Sequence, residues 1–308
     1  MGGKRERFRG SNRWRLSPGR AKQVQFIVLG LAPVLVYFFV FSIYPVFSAF
    51  HISLHRWGLL DLKRPFVGWD NYVWAFNDPV FWISIKNTLY YALYYVLWGT
   101  FLGLVLALFV NSLKEPFVTM MRGIVFMPVV TSMVAVSLMF VWLYQPMYGV
   151  LNYVLGLVGL GPYQFLNSSS QVMPSIVAMS VWKTVGYTMV LFLAGLTTIP
   201  SEYYEAAKVD GASGLRSFIH ITLPLLKPTT LFVLVTGMIG GFQVFTQIYV
   251  MTGGGPGTAS RTLVMHIYET GFKFFEMGRA SSLAFVLFAL VLVITIIQLK
   301  YFKADFEY

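Results

Sequence analysis

Apolar residues gather along this chain in six blocks, about 24–47, 88–110, 124–144, 174–197, 229–251 and 280–299, and the charge lies almost wholly between them. A helix needs roughly 20 apolar residues to cross the hydrocarbon core of a bilayer. Each block therefore predicts one transmembrane helix, and the chain as a whole predicts an all-α integral membrane protein with six spans. The first block follows a basic flank, as in a signal peptide. It runs on past a short core with no small-residue cleavage pattern, which predicts a retained span. The resulting division is a basic arm (1–23), a six-span domain (24–300) and a short tail (301–308).

Composition agrees with the pattern. Of 308 residues, 57% are hydrophobic and 11% charged, with a mean hydropathy of +0.67; a soluble domain of this size carries about 25% charge. There is no cysteine, which excludes disulfides, thiolate metal ligands and a cysteine nucleophile. The net charge of +11 suggests nucleic acid at first sight, but the first 22 residues hold eight Lys/Arg against Glu6 alone. Membrane orientation explains that clustering better. Cytoplasmic segments carry the excess of Lys and Arg. With the N-terminus inside, the inner segments hold 15 and the outer loops 7. Both termini are thus expected in the cytoplasm, with the chain multi-pass in the membrane.

One polar segment interrupts the apolar blocks on the inner side: "PSEYYEAAKVDGASGLRSFIHITLPLLKP", residues 200–228. Ser201 is a suitable N-cap and Glu202 suits the positive end of a helix over 202–209. Gly211 ends it, because glycine accepts a left-handed exit. A second short helix from Ser213 puts Leu215, Phe218 and Ile219 on one face, with Pro224 and Pro228 closing it. By pattern alone, this is either an amphipathic hairpin on the bilayer surface or a docking element for another protein.

The spacing Glu205-Ala206-Ala207, three residues, Gly211, nine residues, Ile221, one residue, Leu223-Pro224 resembles the EAA loop of the membrane subunits of bacterial ABC importers, and every fixed position is present. "FVGWDNY", "DPVFWISIKNTLYY", "FMPVV", "VWKTVGYTMVLFLAGL", "IYVMTGGGPG" and "TLVMHIYETGF" resemble the carbohydrate branch of these permeases, most of all the maltose-transporter first-permease type, over about residues 26–300. The extra N-terminal spans and large outer domain of the maltose permease itself are missing. The resemblance implies an ABC importer type I permease fold. It also implies a second, related permease as heterodimer partner, two ATPase subunits that bind the ATP and Mg, an extracytoplasmic solute-binding protein and a sugar substrate. It implies no cofactor in this subunit itself, and the plasma (inner) membrane of a bacterial-type cell as its place. By the same resemblance Glu205, Ala206, Ala207, Asp210, Gly211, Leu223 and Pro224 form the ATPase-coupling loop.

A sugar needs hydrogen bonds and aromatic faces inside an apolar bundle, and polar groups in a span usually face the bundle interior. Two spans offer them: Trp182, Lys183, Thr184, Gly186, Tyr187 and Met189 in the fourth, and Thr236, Gly237, Gly240, Gly241, Gln243, Thr246 and Gln247 in the fifth. Gln243 and Gln247 are four apart, on one face of a continuous helix. The resemblance places the maltose pocket on the same two segments. The glycines can equally serve close packing and the glutamines interhelical bonding, and Lys183 can snorkel toward the outer surface. Gly99, Gly103 and Ala107 form a small-residue packing row in the second span. "GGGPG" lacks the Lys-Ser/Thr of a phosphate loop and reads as an outer turn near the docking surface for the binding protein. His51 and His55 have helical metal-pair spacing but no third ligand nearby. There is no catalytic set, so a non-enzymatic subunit is expected. A permease for a non-sugar solute such as glycerol phosphate shares this reading of the loop. A secondary transporter would need ion-coupling charges in the membrane, for which Lys183 is the only candidate.

Overall fold

A computed structural model describes residues 18–58, 60 and 62–301; the expected basic arm up to residue 17 and the tail 302–308 lie outside the described residues. Among those described, no strand forms, and extended backbone pairs only in the isolated bridges His55–Phe66 and Gly58–Glu276. The chain divides into two compact units at His51/Ile52. In the first, α1 (Pro18–Phe38) passes through a π-turn, Phe39–Ile43, into α2 (Tyr44–Ser53). Its apolar stretch keeps Phe26, Leu29, Phe41 and Phe47 exposed, as a lipid-facing helix does.

The second unit contains α3 (Asp70–Asn77), α4 (Pro79–Asn111), α5 (Phe117–Val130), α6 (Met133–Leu143), α7 (Val150–Leu157), α8 (Val172–Thr197), α9 (Ser201–Val209), α10 (Gly214–Ser217), α11 (Leu223–Leu225), α12 (Lys227–Phe242), α13 (Thr246–Met251), α14 (Leu263–Tyr268) and α15 (Met277–Tyr301). Helix α4 starts nine residues before the predicted span (79 against 88). Asp78 caps it by accepting from Val80 N at 2.9 Å, and Pro79 occupies the first turn, where its missing N–H costs nothing.

Helix α8 is the centre: α4, α5 and α12 all pack on it. Lipid is as apolar as the helix surfaces, so close approach and dispersion rather than the hydrophobic effect hold such helices together. Small residues mark the crossings. A side-chain carbon on Gly103 would fall on Thr188, on Gly186 on the Val125 carbonyl, on Gly195 on Thr229, and on Gly241 on the Ala92 backbone. Gly99, the other glycine of the predicted packing row, faces open space. Around α8 sit two buried apolar clusters, one with Tyr91, Ile176, Met179 and Ile248, the other with Ala107, Met189, Phe192 and Leu226.

Among the described residues, four helices are long and apolar enough to span, rising to six if two bent pairs each count as one. Two breaks inside predicted spans correct the sequence reading. The predicted continuous span 124–144 is broken between α5 and α6, which meet at 94°. Pro128 brings no N–H, and Thr131 turns extended (φ −75°, ψ 154°) while its N–H and hydroxyl return to the Pro128 carbonyl at 3.3 and 2.6 Å. The predicted continuous span 229–251 also breaks, with α12 ending at Phe242 and α13 starting at Thr246. There Gly240 and Gly241 weaken the helix, and the Thr262 hydroxyl substitutes for a helical N–H by donating to the Val244 carbonyl at 3.2 Å. Helix α12 itself leaves the preceding short helices at 62°.

Candidate functional site

Residues 200–228 fold as a helix, a tight turn and a second helical run. Ser201 is not the N-cap expected of it: Pro200 holds that position, Ser201 is the first helical residue, and no side chain caps the end. Gly211 turns left-handed at φ +73°; its N–H donates to Lys208 O at 3.1 Å and the next N–H, of Ala212, to Ala207 O at 2.8 Å. These paired bonds satisfy the last carbonyls of α9 and aim the chain back. Ser213 caps α10, accepting from Arg216 N at 3.4 Å. The second run passes through a π-turn, Phe218–Thr222, and ends at Leu225, between the two prolines expected to close it, with Pro228 in the first turn of α12. The two arms are clasped by Tyr204 Oη and Thr222 Oγ1 at 2.9 Å. Glu205, Ala206, Asp210, Gly211, Leu223 and Pro224 are exposed and Ala207 half-buried; Val209 and Leu215 are left exposed beside them. The module thus presents three acidic groups, Glu202, Glu205 and Asp210, together with small residues and bare apolar side chains.

Between α4, α8 and the broken fifth span lie two adjoining recesses whose largely apolar walls carry a few polar groups. One, of about 260 Å³, is lined by Tyr91, Tyr95, Ser180, Thr184, Gln243 and Gln247 among others. The other, of about 190 Å³, is lined by Tyr187, Thr236, Gly237 and Val129 and shares Tyr95 and Thr184 with the first. Gln247 is buried and donates from Nε2 to Tyr91 Oη at 2.7 Å, and Tyr91 stacks on Tyr95 with centroids 5.6 Å apart. Gln243 is exposed at the end of α12. Although no continuous helix joins them, both glutamines reach the same recess. The donors, acceptors and ring faces gathered here can bind a hydroxyl-rich solute.

The other candidates fall elsewhere. Trp182 stands on the opposite face of α8, 5.3 Å from Phe140 and in an apolar groove with Tyr90, Tyr94 and Trp98. Lys183 is buried and donates from Nζ to Val129 O at 3.3 Å. The face of Gly186 is filled by the α5 backbone and that of Gly241 by α4. Met189 is fully buried beside Phe192 in an apolar cluster, so its side chain packs rather than lining a recess. Tyr91, Tyr95 and Ser180 were not singled out from sequence. The signal for the tyrosines was present in "YYALYY", where they lie one helical turn apart in an otherwise apolar block.

A polar cap closes the end of α4 next to the Gly-rich turn, where Gly253, Gly254 and Gly257 all have positive φ. Asn87 Nδ2 donates to the carbonyls of Thr258 and Arg261 at 2.9 and 3.0 Å. Glu269 pairs with Arg261 and Lys273, each at 3.0 Å. His266 Nε2 lies 3.1 Å from Asp78 Oδ2. Burial holds the His266 imidazole below its ordinary pKa; the Asp78 carboxylate pulls the other way without prevailing, and the Arg261 charge adds to the lowering. His55, one of the two histidines at metal-pair spacing, has its ring edge-on to Phe66, and no group of metal-binding side chains occurs among the described residues.

Residues 99–302 match the family described as the binding-protein-dependent transport system inner membrane component. The chain is 38% identical to the trehalose/maltose transport system permease protein MalF of Thermococcus litoralis, over 88% of this chain and 92% of that protein. It is 32% identical to the sn-glycerol-3-phosphate transport system permease protein UgpA of Salmonella choleraesuis, over 90% and 94%. Among solved structures it superposes on a bacterial ABC transporter involved in the import of the acidic polysaccharide alginate with a TM-score of 0.82 at 25% identity, over 94% of this chain and 99% of that one.

Proposed function

This chain belongs to the binding-protein-dependent transport system inner membrane component family, and from that premise we propose that its solute is a carbohydrate, carried through the recesses between α4, α8 and α12. It is the non-catalytic membrane-spanning permease subunit of an ABC importer. It works beside a second, related permease and above two ATPase subunits, which bind the ATP and Mg, and it takes sugar from an extracytoplasmic binding protein. Both termini lie in the cytoplasm. The module 200–228 then faces the cytoplasm too, where Glu205 pairs with a basic group on an ATPase while Ala206 and Ala207 fit closely against it. Closure of the ATPases moves the module. Because α8 enters it and α12 leaves it, the motion reaches the helices that line the recesses.

The observation that carries this reading is the exposed, tightly ended helix–turn–helix set directly between two recess-lining helices. The solute class rests on the relatives that carry trehalose, maltose and alginate and on the tyrosine, threonine and glutamine lining. The test is to purify the transporter with its binding protein and identify the solute retained by the latter, then measure ATP-dependent uptake. A retained oligosaccharide supports the reading. Retained glycerol phosphate moves the assignment to a non-sugar permease, and uptake that survives ATP depletion but collapses with the ion gradient replaces it with a secondary transporter.

A further inference from the structure

The C-terminal end of α5 poses a problem that the rest of the chain has to solve. A helix leaves its last four carbonyls without intrahelical donors, and in α5 these belong to residues 127–130, inside an apolar block at membrane depth. In such a block lipid offers them no donor, so partners come from the protein or from a cavity it lines. Thr131 serves the Pro128 carbonyl. The Val129 carbonyl is served from another helix: Lys183 of α8, only 7% exposed, donates to it from Nζ at 3.3 Å. An ammonium at a helix C-terminus also faces the negative end of the helix dipole. Three residues further along α8, on the same face, Gly186 admits the Val125 backbone. Helix α8 therefore grips α5 at two points a turn apart, one steric and one ionic.

The grip bears on the solute cavity because the break lines it. Val129, in the last turn of α5, borders one recess, and Met133, the first residue of α6, borders the other. We propose that Lys183 is a positioning residue which, by capping α5 at Val129, fixes the 94° break of the third span and with it the shape of the recesses. This role deepens the proposed function and rests on the recesses being the solute path. Lys183 acts there through α5, since it lines neither recess and donates to the Val129 carbonyl.

The natural chain contains no cysteine, so cysteines at Met120 and Met139, both exposed and on opposite sides of the break, report its geometry once spin-labelled. The assembled transporter in lipid is compared as wild type, Lys183→Met and Lys183→Arg, reading the label distance and the KM and maximal rate of uptake. Lys183→Met is expected to broaden and lengthen the distance distribution and to raise KM roughly tenfold, the loss corresponding to one cap and its dipole contact. Lys183→Arg, which still donates and stays charged, is expected to restore the narrow distribution and most of the KM. A Lys183→Met distribution identical to wild type overturns the proposal whatever KM does, because a changed KM on an unchanged break means direct solute contact. If the Met variant does not assemble, Lys183→Gln keeps a donor without the charge and is expected to broaden the distribution less; an unchanged distribution again overturns the proposal. The distance reading needs neither solute nor ATP, so it stands apart from any failure of the carbohydrate assignment.

Discussion

The module at 200–228 and the recesses around α8 contrast in how they are built. The module is exposed and held by local bonds: a glycine turn, a serine cap and the Tyr204–Thr222 clasp. The recesses are buried and held by contacts between residues far apart in sequence, such as Gln247 with Tyr91 and Lys183 with Val129. On the proposed function, the part that grips a partner can be changed without unfolding the subunit, whereas the part that holds the solute shares its side chains with the packing.

That contrast predicts where stability and transport separate. Gly186→Leu should cost the most, because its side chain would occupy the Val125 backbone; overpacking typically costs about 1–3 kcal/mol and more against rigid backbone, so assembled transporter is expected to be lost from the membrane on quantitative blotting. Glu205→Lys should leave insertion and thermal stability unchanged, since the residue is exposed, while ATPase co-purification falls by upward of roughly tenfold, as expected when one partner of an interface charge pair is reversed. If that variant takes up solute normally, the coupling role is wrong. Gln247→Leu removes one buried interhelical bond, about 1 kcal/mol in a membrane protein, and is expected to lower thermal stability slightly and raise the KM for solute together. Gly211→Ala has space for its methyl group but must hold φ +73°, a strain of about 1 kcal/mol, visible as faster hydrogen exchange in α9 alone.

The smallest effect concerns acid. The folded chain holds His266 below its ordinary pKa, so the unfolded chain takes up the proton first and stability falls as pH drops through the usual histidine range. Melting curves of the purified transporter between pH 7.5 and 5 should show this decline. His266→Gln should flatten it; an equal decline in that variant removes His266 from the account.

Local chemistry was readable without coordinates. The left-handed Gly211, the Ser213 cap and the two short helices follow from residue preferences within a few positions, and the error at Ser201 concerns one residue's place at a helix end. The two broken spans were not readable in this way. Blocks 124–144 and 229–251 are apolar enough to run straight, and a proline or glycine pair inside them only weakens the helix. Whether it parts depends on a donor arriving from elsewhere to satisfy the freed carbonyl.

The sequence by itself determined a helical membrane chain with a polar helix–turn–helix between two of its apolar blocks, because hydropathy over twenty residues and turn chemistry over four are local properties. Only the tertiary structure decided that Lys183 faces Val129, that Thr262 reaches Val244, that Met189 packs away from the recesses and that Tyr91 and Tyr95 line them. In a bilayer the partner of each buried polar group must come from the protein itself, and which helix supplies it is fixed by packing across the bundle.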